Sequence, residues 1–147
     1  MQLKYLTIAG FIICGTAMHS IASIESEAVT ARTKAMSDIS DNMRVLGLML
    51  KGKVDFNLVS AQSAIQNIED LAAKTPALFE VEAVDPHAEA KPEIWSNYDD
   101  FVNKALNLKT AAIDAGGLFV DKDSLKDVIM SIGKTCKSCH SACTEIK

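Results

Sequence analysis

Near its end the chain carries Cys136-Lys137-Ser138-Cys139-His140, two thiols three positions apart with an imidazole directly after the second. Thiols at that spacing can form thioethers with the two vinyl groups of one haem, pinning the ring edge. The next residue then offers its imidazole to the iron from below the ring. Two other chemistries use similar residues. A thioredoxin-like dithiol wants a βαβ setting, and no segment here shows the two-residue alternation of a strand. A zinc site wants further Cys or His, and beyond the last segment only His87 is available once an N-terminal leader carrying His19 is set aside. The motif therefore predicts one covalently bound haem c, held by Cys136 and Cys139, with His140 as an iron ligand.

A large flat apolar ring needs walls, and four helical stretches can supply them. From about Ser26 to Lys51, Val29, Met36, Ile39, Met43, Leu46 and Leu50 form an apolar stripe. Arg32 is its one charged interruption, and Lys51-Gly52 is a good stop. A second helix, from about Leu58 to Lys74, places Ala61, Ala64, Ile65, Ile68, Leu71 and Ala72 on one face, with Pro76 expected to end it. A third opens near Pro92, runs through Ile94, Tyr98, Phe101, Val102, Ala105, Leu108 and Ala112, and closes at Gly116-Gly117. The last begins near Ser124, where Asp127 completes a capping-box-like start, and continues through Leu125, Val128, Ile129 and Ile132 into the cysteine motif. The expectation is an all-α fold: an antiparallel up-down-up-down four-helix bundle around a covalently bound haem. The middle connection, Pro76 to Lys91, holds Glu80, Glu82, Asp85 and Glu89. It reads as a solvated acidic connector, although loops of that length also carry function.

In such a bundle the first and last helices are antiparallel neighbours. His140 lies seven residues before the C-terminus, so the side chain facing it must come from the start of the first helix. Met36 and Met43 share a face, but at about 1.5 Å rise per residue Met43 sits roughly 10 Å deeper. Met36 best matches the level of His140 as a sixth ligand. Both methionines could equally be core filler. Arg32, one turn before Met36, would lie near a ring edge and could pair with a propionate, or it could be a solvated arginine on a frayed first turn.

The N-terminus reads differently. Lys4, the apolar run Tyr5–Ile13 and small residues at Gly15–Ala17 and Ser20–Ala22 have the layout of a secretory signal peptide, with cleavage after Ala22 and Ala17 as the second choice. Residues 1–22 are then a leader and residues 23–147 the bundle, which places the mature protein in the periplasm. Cys14 would leave with the leader, and the odd number of remaining cysteines argues against a disulfide framework. The 147 residues fit one domain, and the excess of nineteen Asp+Glu over fifteen Lys+Arg, with only two arginines, argues against nucleic-acid binding. Loss of Lys4 takes the net charge from −4 to −5. That balance predicts redox partners with basic docking surfaces and no stable membrane insertion.

Together the N-terminal helix, the Lys91-Pro92-Glu93-Ile94-Trp95 segment and the C-terminal C-x-x-C-H motif resemble the cytochrome c′ family over the whole mature chain. That family is a standard example of the four-helix bundle. Asn42-Met43-x-Val45-Leu46-Gly47 followed by Lys51-Gly52 is similar to the first helix of both family branches. The resemblance of Met36 to the methionine ligand of the low-spin cytochrome c-556 branch implies His140/Met36 ligation and single-electron transfer, with no enzymatic activity. The competing reading is a five-coordinate, high-spin cytochrome c′ in which Met36 only packs over the ring and the iron binds nitric oxide or carbon monoxide. Arg32 matches a family position whose arginine contacts a haem propionate in the five-coordinate members, and the family also implies a possible homodimer. One departure stands out: three and four positions after the haem histidine, where the family usually has an aromatic and then a basic residue, this chain has Cys143 and Thr144. Cys143 is either a small buried replacement or an exposed thiol linking two chains.

Overall fold

The computed structural model describes residues 17–83, 89–119 and 121–145, with side chains from position 25 onward except 26. Its helices are α1 (Ala17–Leu50), α2 (Leu58–Leu78), the one-turn α3 (Glu93–Ser96), α4 (Tyr98–Leu118) and α5 (Leu125–Cys143). α1 packs on α2, α2 on α4 and α4 on α5, whereas α1 and α5 touch far less than these neighbours do. That is a four-helix bundle with an opened first–last seam. Among the described residues the only β-pairing is an isolated bridge between Ala90 and Thr144. No helix among them is long and apolar enough to cross a membrane.

Packing follows the apolar stripes. Leu46, Ile68, Leu125 and Ile132 are wholly buried and meet at the centre of the core with Ile39, Ile65 and Phe119. Burying each such aliphatic side chain contributes about 1.5–3 kcal/mol. One stripe residue differs from expectation. Leu50, the last residue of α1, is 38% exposed, while Met49, three residues after the wholly buried Leu46 and on its side of the helix, takes the core position at 4% exposure.

Several helix ends also depart from expectation, each for a local reason. α1 stops where expected: Gly52 takes φ +64°, with Gly52 N–H bonded to Met49 O (3.1 Å) and Lys53 N–H to Leu48 O (2.9 Å). This is a Schellman end, which needs a residue tolerant of positive φ. At its other end α1 begins at Ala17, nine residues before the expected start, so residues 17–22 of the expected leader are helical. Residues 1–16, with Cys14, lie outside the described residues. Pro76 does not end α2 but sits inside its last turn. The carbonyl there is bonded twice, by Tyr98 Oη (2.6 Å) and Phe79 N–H (2.9 Å), which holds the turn closed despite the missing donor. The expected third helix is two pieces, because Asn97 (φ −136°, ψ 56°) leaves helical geometry between α3 and α4. Nor does it close at Gly116-Gly117, since α4 continues to Leu118. α5 starts after Ser124 as expected, but without the capping box. Ser124 instead turns back, its N–H bonded to Asp121 Oδ1 (3.0 Å) and its hydroxyl to Asp121 O (2.8 Å).

The middle connection is not simply solvated. Phe79 and Ala83 are buried in it, though Glu80, Glu82 and Glu89 are exposed; Asp85 and His87 lie outside the described residues. It also ties down the end of α5 through Lys91 N–H to Cys143 O (3.0 Å) and Glu145 N–H to Glu89 O (2.8 Å).

Candidate functional site

α5 is held at its N-terminal half by Leu125, Val128 and Ile132 in the core, so its C-terminal half is aimed along the seam with α1. There the helices part around a cavity of about 710 Å³. Arg32, Met36, Ile39 and Met43 of α1 line one side. Phe101, Ala105 and Leu108 of α4 line the back, and Cys136, Cys139, His140 and Cys143 of α5 line the third wall. The five residues singled out from the sequence, Arg32, Met36, Cys136, Cys139 and His140, thus converge on one space, although about a hundred residues of chain separate them.

Their environments differ. Cys136 and Cys139 are half-buried free thiols. Burial pushes the Cys136 thiol up; burial, and then the neighbouring Cys143, push Cys139 up to about 12, so both stay neutral at physiological pH. His140 is exposed at the cavity mouth, its backbone carbonyl bonded by Thr144 N–H (3.1 Å) and Thr144 Oγ1 (2.8 Å). Met36 and Met43 are half-buried and packed against the core, so the structure brings both to the cavity. Cys143 is buried beside Phe79, Ile94 and Phe101, which excludes the exposed-thiol reading.

Arg32 is no solvated residue on a frayed turn. It is 3% exposed, one turn from Met36, with its guanidinium 5.1 Å from the Phe79 ring centroid and 5.2 Å from that of Trp95. Nη2 donates to Ala83 O, while Nε and Nη1 are buried without a hydrogen-bond partner among the described residues. Burial lowers its pKa, yet an arginine stays charged. Periodicity could flag Arg32 as an intruder on an apolar stripe. It could not reveal Phe79, Trp95 and Ala83, which lie outside the regular helical stripes. Trp95 is itself fixed by its Nε1–H bond to Phe79 O (2.8 Å).

The site therefore offers a largely apolar slot, two neutral thiols on one wall, an imidazole at the rim and a buried cation with two donors to spare. Unpartnered buried donors cost roughly 1–3 kcal/mol each unless an anion meets them. A haem fits all four features: an apolar ring, two vinyl groups, an iron and anionic propionates. Among the described residues no cluster of three or more His, Cys, Asp or Glu could hold a metal ion without it.

A four-helix bundle with a C-x-x-C-H motif turned into its first–last seam defines a bundle-type c haem protein. The chain belongs to the cytochrome c′ family, whose model "Cytochrome C'" matches residues 27–142. It is 30% identical to a cytochrome c′ of Rhodopseudomonas palustris over 95% of this chain and 94% of that one. With a cytochrome c-556 of the same organism identity is 28%, over 95% of each chain. The solved cytochrome c′ of Rhodopseudomonas palustris superposes with a TM-score of 0.76 at 29% identity, covering 82% of this chain and 97% of that one. Membership carries with it a covalently attached haem c and a place among haem electron-transfer proteins.

Proposed function

We propose that this protein is a periplasmic carrier of single electrons, not an enzyme, with His140 and Met36 as axial ligands of its haem iron. The observation that supports it is the convergence of Met36 and the Cys136–His140 motif on one slot, with Arg32 buried at its end. When bound, the haem supplies a one-electron couple. Cys136 and Cys139 would anchor the ring edge to α5, and His140 would offer a nitrogen from the adjacent position. Met36, on the α1 wall, would supply a thioether as the second ligand, which favours ferrous iron and raises the potential. Arg32 would give its free Nε and Nη1 donors to a propionate. Ile39, Phe101, Ala105 and Leu108 exclude water from the ring faces. Export rests on the leader at residues 1–22, and a mature protein whose mass begins at Ser23 tests it.

One observation keeps a second reading in play. Met36 is packed against the core and the chain resembles cytochrome c′ and cytochrome c-556 relatives almost equally. In that reading Met36 covers a five-coordinate iron that binds nitric oxide or carbon monoxide. The visible spectrum of the reduced protein separates the two. A low-spin spectrum indifferent to carbon monoxide is expected, and rapid, tight gas binding would remove Met36 as a ligand. Replacing Met36 with Ala should open the sixth position, whereas Met43→Ala should leave the spectrum low-spin. The reverse outcome assigns the ligand to Met43.

A further inference from the structure

We propose that the face between α4 and α5, beside the thiols that anchor the haem, is the surface through which electrons are exchanged, and that its partner presents an acidic patch. The inference rests on the electron-carrier reading and specifies its partner. It reverses the expectation drawn from net charge alone, because it follows from where the charges sit.

Three helical cations spend their charge on a carboxylate one turn away: Lys34 on Asp38 (2.7 Å), Arg44 on Asp41 (3.1 Å) and Lys104 on Asp100 (2.7 Å). Lys134 and Lys137 do not, nor do Lys74, Lys109 and Lys126 among the described residues; what sets the first two apart is the sequence of α5 around them. Both are exposed, and neither makes an ion pair among the described residues. From Val128 to Cys143 α5 has no Asp or Glu at all. The two lysines bracket Cys136 in sequence, and with Ser138 and Ser141 they follow steps of three, one and three, a single stripe spanning about 100° on the outer side of α5.

Beside that stripe runs a second concavity, about 400 Å³, between α4 and α5. Lys134, Ser138, Asn107 and Thr110 contribute to its polar lining, and Asp114 is its one carboxylate. Lys104 and Thr135 line both this groove and the haem cavity, so the groove is the outer side of the cavity wall. A partner seated there lies across one helix wall from the thiols that hold the ring edge. The acidic excess of the whole molecule does not cancel this local field, because charges more than about 8 Å apart are largely screened at physiological ionic strength. An oppositely charged partner is therefore steered to this face and oriented on it.

The test uses the haem-loaded protein and two anionic probes. Hexacyanochromate(III) is paramagnetic and does not exchange electrons, so with diamagnetic hexacyanocobaltate(III) as reference it maps anion contact by broadening amide NMR signals. Broadening is expected at residues 131–141 and 104–111. It should fade as ionic strength rises from about 0.01 M to about 0.15 M, and vanish in K134E/K137E. In the second measurement one electron leaves the reduced protein and converts hexacyanoferrate(III) to hexacyanoferrate(II), with no proton or bond change. Its rate should fall with added salt, and fall about ten-fold in K134E/K137E at low salt. Broadening centred elsewhere, such as on Lys51 and Lys53, would overturn the surface, as would a rate unmoved by the charge reversal. Loss of electron exchange in a protein that still shows the α5 map would instead overturn the carrier reading.

Discussion

At the scale of single residues the most informative side chain is Arg32. An arginine buried at 3% exposure, with one bond to Ala83 and two free donors, is an expensive thing to place in a core. On the proposed reading a haem propionate in the slot offsets that cost, and the residue couples stability to occupancy. Arg32→Leu should therefore lower the stability of the haem-loaded protein by about 1–3 kcal/mol in urea unfolding, as befits loss of a charge-assisted bond. Unchanged stability would mean that no propionate reaches the guanidinium. The sequence made Arg32 visible as the single charge on an inward stripe, but left open whether it was solvated. What decided the matter, the Phe79 and Trp95 rings beneath it, comes from a connector and a one-turn helix that carry no periodic signal of their own. Cys143 shows the same limit. Its spacing placed it on the face of Cys139, whereas its burial depends on Phe79, Ile94 and Phe101 arriving from elsewhere in the chain.

At the scale of elements, α5 shows how local chemistry sets the position of distant ligands. Its start is fixed by the mutual bonds of Asp121 and Ser124, which hold the Asp121 carboxyl below its ordinary value of 3.8. A carboxylate with a depressed folded-state pKa stabilises the fold above its unfolded value and loses that contribution as pH falls through the folded one. Asp121→Ala should therefore lower the thermal midpoint at neutral pH, and the gap from the parent should narrow below about pH 4. A gap independent of pH would show that the charge plays no part. The existence and faces of the long helices were legible because 3.6-residue periodicity is set by each helix's own sequence. Their ends were less so, because tertiary bonds intervene. Tyr98 holds the Pro76 turn closed, Asn97 splits the third helix, and Ser124 chooses Asp121 over the expected capping box.

At the scale of the whole molecule, the cavity opens to solvent beside His140, so its largely apolar lining stays wet until a ring fills it. Burying apolar surface contributes about 25 cal/mol per Å², and a domain of this size has only about 5–15 kcal/mol in total. The bundle and its ring are therefore parts of a single folding unit. A Cys136→Ala/Cys139→Ala chain, exported without haem, should keep much of its helical far-UV signal while losing the sharp thermal transition of the loaded protein. A steep, cooperative melt in that variant would show that the helices close the slot unaided.

The tie between the tail of α5 and the middle connection has a mechanical consequence. Arg32 reaches Ala83, and Cys143 and Glu145 reach Lys91 and Glu89, so the stretches of α1 and α5 that carry Met36 and His140 are each moored to the middle connection. Each mooring acts from outside the slot. On the proposed ligation, the two donors would therefore keep their places through bonds that the charge of the iron does not touch.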